Sequence, residues 1–394
     1  MDLELETGVR ERAQAARGLR LRKLFPAALL ALGGAAGAVL AALLSPARAQ
    51  AAADQDWPPF LLVAGLLLIG LVAEEDRLFS AAGHRLAGIA RSGSGLFAGG
   101  VVVVAVVTAV LNLDTSVAFL TPVLVHSARR RGDDEAPLLY GCILLSNAAS
   151  LLLPGSNLTN LIVLGDHHMS GSVFFAHMAP AWVVAVVTTA AVVALAEWPS
   201  LRRNVGTLDE PDRPVLGLGL AAVLAAVVLV LVLRSPALPV AGVGAVAAGV
   251  RVARRRERPG RALEVLGLPV LVGLLGVAVA LGTAGRAWSG PAQALAHLDA
   301  WATAGFAAAT SVIVDNLPAA SLLSARAPRH PFALLVGLDV GPNLFVTGSL
   351  SWILWLRAAR SAGARPSLRR ATTLGSIAAV VAIAGAVGML AAGG

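Results

Sequence analysis

Residues 146–163 read SNAASLLLPGSNLTNLIV, and residues 337–357 read GLDVGPNLFVTGSLSWILWLR. Each is an apolar segment of membrane-helix character interrupted by Pro, Gly, Asn, Ser or Thr. Pro removes a backbone donor and Gly weakens a helix, so each stretch leaves N–H and C=O groups unpaired partway along. Inside a bilayer such backbone survives only where it is buried in protein or lines a watery cavity. The second stretch also carries Asp339. A carboxylate at the bilayer centre costs ~2.5–3.5 kcal/mol on insertion scales, and by default it marks a functional site.

Working outward, each broken segment follows another one. The stretch 96–128 is apolar but breaks at Asn112-Leu113-Asp114-Thr115-Ser116, and 303–326 breaks at Asp315-Asn316-Leu317-Pro318. Further apolar runs lie near 25–45, 58–73, 173–196, 215–233, 237–250, 264–284 and 371–392. Arg-rich loops fall at 10–23, 77–91, 129–131, 202–213, 251–261 and 357–370, whereas 46–57, 165–172 and 285–300 are poorer in Arg. The positive-inside rule then places the N-terminus in the cytoplasm and the C-terminus outside. Hairpin 96–128 enters from the cytoplasmic side and hairpin 303–326 from the outer side, with Arg326 and Arg329 as the exception to the charge rule. Paired breaks entered from opposite faces predict an inverted-repeat carrier with its site at the midplane. The expected fold is an all-α polytopic membrane protein, with about ten spans at roughly 20 residues each, two re-entrant hairpins and broken helices. Its parts are a cytoplasmic segment 1–24, a first half 25–196 with broken helix 138–165, linking loops and spans 197–263, and a second half 264–394 with broken helix 331–356.

Composition agrees. Of 394 residues, 57% are hydrophobic and 14% charged, too apolar for a soluble domain. The net charge of +8 sits in short runs between apolar segments, which are topology signals and not a nucleic-acid surface. Cys142 is the single cysteine, so there is no disulfide framework and no Cys-based metal site. Lys23 is the single lysine and follows Arg22, so a Walker A loop is excluded and ATP drive would need a partner subunit. At the N-terminus, 25–45 reads either as a retained helix with a Gly33-x-x-x-Gly37 packing pattern or as a signal segment ahead of Pro46-Ala47-Arg48-Ala49-Gln50. Its length favours the helix.

The residues expected to bind substrate and ion are Asp114, Thr115, Asn147, Ser156, Asn157, Asn160, Asp315, Asn316, Asp339, Asn343, Thr347 and Ser349. Freed N–H groups at half-helix starts favour anions or polar oxygens, and freed carbonyls with Asn, Ser and Thr oxygens favour Na⁺ or protonated groups. The blander reading of any one of them is helix glue, or a hydroxyl bonded to its own preceding carbonyl. Three Asp residues spread over two matching pairs of broken segments outweigh it. No catalytic residue, metal or cofactor is expected; the coupling ion is a proton or Na⁺. His167-His168 and His177 lack a carboxylate at metal-ligand spacing and read as a solvated loop. Gly242-x-Gly244 reads as helix packing, and the sequon Asn157-Leu158-Thr159 lies at membrane depth. Arg254-Arg255-Arg256 reads as a cytoplasmic anchor. Glu74, Glu75 and Asp76 read as interfacial, and Trp352 with Trp355 as an aromatic belt. A remoter reading pairs Asp114 with Asp339 as an intramembrane aspartyl protease, which needs the two carboxylates adjacent.

The two opening stretches, together with DNLPAASLL (315–323) and LDTSVAFLTPVL (113–124), resemble the ArsB-type arsenite efflux permeases. The wider ion-transporter superfamily also holds NhaD-type sodium/proton antiporters and divalent-anion/sodium symporters. The resemblance runs from about residue 55 to the end, and the D-x-G-P-N…T-G-S-L…LWLR block is its most specific part. It implies a multi-pass protein of the bacterial inner membrane that exports arsenite or antimonite in exchange for protons. The alternatives it leaves are a Na⁺/H⁺ antiporter or an anion/Na⁺ symporter. The partners it implies are membrane lipid, a second copy of the chain and, as in some relatives, an ATPase subunit docking on 197–214 or 251–263. The chain departs from the family pattern at Leu113, Asn147 and Asp315.

Overall fold

The computed structural model describes residues 28–90, 92–165, 169–202, 217–233, 235–254 and 259–393. His167-His168, the basic stretch 10–23, most of the 202–213 loop and Arg255-Arg256 lie outside them. The first helices are α1 (Ala28–Leu44), α2 (Pro46–Glu75), α3 (Leu78–Ile89), α4 (Gly93–Val110), α5 (Leu113–Arg130) and α6 (Ala136–Ala149). They are followed by α7 (Leu158–Leu164), α8 (Gly171–Ala196), α9 (Trp198–Leu201), α10 (Leu218–Val232), α11 (Ala237–Ala253), α12 (Pro259–Leu266) and α13 (Leu268–Ala287). The last are α14 (Gly290–His297), α15 (Ala300–Val314), α16 (Asn316–Leu323), α17 (Pro331–Val340), α18 (Ser351–Ser361) and α19 (Leu368–Gly393). The described residues contain no strand. That follows from the composition, because a helix satisfies its own backbone in hydrocarbon. Among the described residues, five helices are long and apolar enough to cross a membrane, α2, α4, α8 and α19 among them.

The order of a bent-back pair followed by a broken helix occurs twice. α4 and α5 pack on each other across Leu111-Asn112, and then α6, a 3₁₀ turn (Pro154–Ser156) and α7 follow. α15 and α16 pack on each other across Asp315, and then α17, a 3₁₀ turn (Gly341–Leu344) and α18 follow. Helix α2 is a post against which α10, α11 and α13 pack, while α8 packs along α19. The segment read as a loop at 46–57 is the first part of α2, which runs through Pro58 and Pro59.

Small residues set the closest crossings. A Cβ on Gly244 would lie 2.4 Å from the Gly65 carbonyl oxygen, and one on Gly34 would lie 2.0 Å from that of Gly273. Backbones meet at these points, as in membrane helix pairs generally. The glycine of α1 at the crossing is Gly34, whereas Gly33 faces open space. Gly242 likewise faces open space beside the packed Gly244.

One expectation changes here. Trp352 and Trp355 do not form a belt; both are fully buried. Their indole N–H groups donate to the carbonyls of Pro342 and Leu139, each at 2.9 Å. A buried indole needs such an acceptor, and the broken helix supplies one. Asp76, at the end of α2, is held within the protein: it is 2% exposed, bonded to Arg251 of α11, and accepts from the Gly219 amide of α10 at 2.7 Å. One carboxylate thus ties the end of α2 to two further helices.

Gly244→Leu should lower the midpoint of thermal unfolding in detergent, because overpacking of this kind costs ~1–3 kcal/mol. Gly242→Leu, two residues away, should leave the midpoint unchanged.

Candidate binding site

The site grows out of the helix breaks. Ser150 ends α6, and its Oγ donates to the Asn147 carbonyl at 2.8 Å. Ser156 Oγ bonds the Leu153 carbonyl at 2.6 Å and also reaches the Ser150 carbonyl. Asn160 Nδ2 donates to the Ser150 and Leu153 carbonyls at 2.8 and 3.1 Å. The carbonyls released by the break are therefore taken up by side chains of the next turn, as buried backbone requires. Asn157 caps α7, its Oδ1 accepting from the Thr159 amide at 3.3 Å.

That arrangement aims Asn157 and Thr159 at the other half. Asn157 Nδ2 donates to Asp339 Oδ1 at 3.0 Å, and Thr159 Oγ1 donates to the same oxygen. Asn147 Nδ2 donates to Asn343 Oδ1 at 2.8 Å, while Asn343 Nδ2 donates to the Leu144 carbonyl at 3.0 Å. Asp339, Asn147, Asn160 and Asn343 are wholly buried. Asp339 Oδ2, Asn147 Oδ1 and Asn160 Oδ1 are buried with no hydrogen-bond partner. All three are acceptors, so the cluster is short of donors.

The bent-back pairs present the other two carboxylates. Asn112 caps α5, with its Oδ1 accepting from the Thr115 amide at 2.7 Å, and Asp114 follows in the first turn. Asp315 is at once the break and the cap of α16, its Oδ1 accepting from the Leu317 amide at 3.2 Å. Its backbone sits at φ 75°, ψ 151°, a region left almost wholly to glycine, and Asn316 donates its amide to the Gly348 carbonyl at 3.0 Å. Such a backbone costs of order ~1–3 kcal/mol and persists only where its surroundings hold it. The charges of Asp114 and Asp315 bear on each other, so the two tips share one electrostatic environment. Asp114 is therefore matched with Asp315, and Asp339 sits with Asn157 and Thr159.

Of the twelve residues singled out from sequence, Asn147, Ser156, Asn157, Asn160, Asp339 and Asn343 form this one buried network. Asp114 and Asp315 are half-buried at the tips, with Thr115 and Asn316 buried beside them. Thr347 is exposed and donates to the Val312 carbonyl at 2.7 Å, and Ser349 pairs with Ser351, so both brace the break. Sequence reading missed Thr159 and Ser150, which hold Asp339 and Asn157. It also missed the buried hydroxyl and thiol contacts Ser116–Ser146, at 3.3 Å, and Thr121–Cys142, at 3.4 Å, between α5 and α6. His177 stacks on Phe332 with ring centroids 5.3 Å apart, and the described residues hold no cluster able to bind a metal.

Broken helices around buried carboxylates, in a bundle of apolar helices, define a polytopic membrane transporter and not an enzyme. The chain belongs to the CitMHS citrate transporter family of the ion-transporter superfamily, whose profile matches residues 19–347. Its fold is similar to that of the YdaH transporter of Alcanivorax borkumensis. The two share 16% sequence identity at a TM-score of 0.50, over 94% of this chain and 88% of that one. No curated protein matches the sequence.

Asn147→Ala would strip Asn343 Oδ1 of its buried donor and should destabilise the protein by ~1–3 kcal/mol. Thr347→Ala, at an exposed hydroxyl, should cost less. Thermal unfolding of the two variants in one detergent measures the difference.

Proposed function

We propose that this transporter exports arsenite and antimonite from the cytoplasm in exchange for protons. The observation that carries the reading is the donor-poor site. Asp339 Oδ2, Asn147 Oδ1 and Asn160 Oδ1 are buried acceptors without donors, and the hydrogen bonds to Asp339 come from Asn157 and Thr159, not from Arg. At neutral pH arsenite is mostly uncharged As(OH)₃, a small molecule whose three hydroxyls are donors. Buried acceptors without partners discriminate in favour of a ligand that supplies those donors. An anion would meet two amide oxygens and a carboxylate, which repel it. Cys142 alone cannot build a three-thiolate arsenic site, so recognition is through oxygen. Asp339 is the group that would exchange a proton for the substrate, being neutral when the site holds a proton and an acceptor when it holds As(OH)₃. Asp114 and Asp315, at the tips, would supply the second and third carboxylates of the path.

A second reading has its own observation. A cleft of about 750 Å³ between α8, the start of α17 and the end of α19 is lined by His177, Arg329 and His330. The Arg329 guanidinium is a cationic group there, and such groups gather anions. With the family's description as citrate transporters, this favours a carboxylate anion carried together with cations.

An export-deficient host expressing the chain should grow at arsenite concentrations that stop the empty host, and should hold less cellular arsenic. In everted vesicles As(III) should dissipate a preset pH gradient, and Asp339→Asn should abolish the response. Citrate uptake with no arsenite response would establish the second reading. A Na⁺ response without arsenite movement would place the chain with the antiporters.

A further inference from the structure

A carboxylate outside this site is buried in the first half of α2, far along the helix from Asp76. Asp56 is 1% exposed, and its Oδ1 accepts from Ser321 Oγ of α16 at 3.3 Å. Its Oδ2 is buried with no hydrogen-bond partner. Twenty residues of helix separate Asp56 from Asp76, about 30 Å at the usual rise. That is the thickness of a bilayer core, so Asp56 lies toward the opposite membrane face.

The surroundings of Asp56 are built. A Cβ on Gly282 of α13 would lie 3.2 Å from Arg286 Nη1 and 3.7 Å from Asp56 Oδ2, so a glycine there leaves the guanidinium and the carboxylate one pocket. Arg286 donates to the Gln55 side chain at 2.5 Å, the Ala51 carbonyl at 3.3 Å and the Gly282 carbonyl at 3.1 Å. Gln55 Nε2 in turn donates to the Ile162 carbonyl of α7 at 2.7 Å and to Ser324 Oγ at 3.2 Å. One polar cluster therefore joins α2, α7, α13 and α16. Two clefts, of about 180 and 310 Å³, flank Gln55.

We propose that Asp56 is a proton-binding site, separate from the Asp339 network, that governs the hold of α2 and α13 on α16. The ligand is a proton and not a metal cation, because such an ion needs several oxygen ligands at once, and the hydrogen-bond partner of the carboxylate is the single Ser321 hydroxyl. The charged group facing Asp56 from α13 is Arg286. From α16 it meets Ser321, from α7 only the Ile162 carbonyl by way of Gln55, and Asp54 and Arg326 line the flanking clefts. Protonation adds an O–H donor at Oδ2 and removes the charge that Arg286 and Ser321 answer. Helix α16 begins at Asp315, so a proton taken up at Asp56 alters the support of a tip carboxylate at the far end of that helix. The transport consequence rests on the proton-exchange reading above; the binding of the proton does not.

The chain in proteoliposomes tests this by infrared difference spectra across pH and by As(III) flux under an imposed pH gradient. Asp56→Asn, nearly isosteric, should remove one protonated-carboxyl band that Asp339→Asn retains. Ser321→Ala should keep that band and shift its pH midpoint. As(III) flux through Asp56→Asn should fall, while the gradient still drives what remains through Asp339. If Asp56→Asn leaves every band in place, the site is overturned. If the band is lost but wild-type flux ignores the gradient, the proton-exchange reading fails and the proton site stands.

Discussion

The structure depends on the backbone groups that two helix breaks release inside the membrane. Each freed carbonyl or amide must find a partner, because hydrocarbon offers none. In the first half Ser156 and Asn160 take the carbonyls of Ser150 and Leu153. In the second, Trp352 takes the Pro342 carbonyl, and the Gly348 carbonyl receives the Asn316 amide. Polar side chains are present at membrane depth first for this reason. Once there, they also point amides and hydroxyls at Asp339, so the site is a by-product of repairing the backbone.

This explains what was legible in sequence and what was not. Asp339, Asn157 and Asn343 stand out because each is polar in an apolar run next to Pro or Gly, and the breaks themselves are written in those two residues. Thr159 gave no such signal, since a threonine in a membrane helix usually bonds its own preceding turn. Trp352 and Trp355 precede Arg357 and so carry the local signature of an interface, and only the acceptors at Pro342 and Leu139 draw them inward. Asp56 sits among Asp54, Gln55, Pro58 and Pro59 and reads as loop, although α2 continues through it. Adjacent glycines such as Gly33 and Gly34 differ by one helical step, which composition cannot phase against a distant helix.

The carboxylates fall into distinct settings. Asp76 meets Arg251 and a backbone amide, a closed structural pairing. Asp339 meets only neutral donors and keeps one oxygen unanswered. Asp114 and Asp315 stand in the first turn or at the cap of a half-helix, at the two breaks. Burial is common to several of them, and the partner set separates structural from transporting roles. A paired charge fixes helices, whereas a charge answered by amides and hydroxyls can change its protonation without tearing an ion pair apart.

The bond from Asn147 to Asn343 spans 196 residues of sequence. A ribosome adding about 5–20 residues per second needs roughly ten to forty seconds to make that interval. Throughout it the first half waits in the membrane with Asn147, Asn157 and Thr159 lacking the acceptors that the second half brings. The nascent first half is thus a polar-cored fragment whose core is completed by its own later sequence. Its survival until then depends on how well other chains, water or the insertion machinery shield those three side chains.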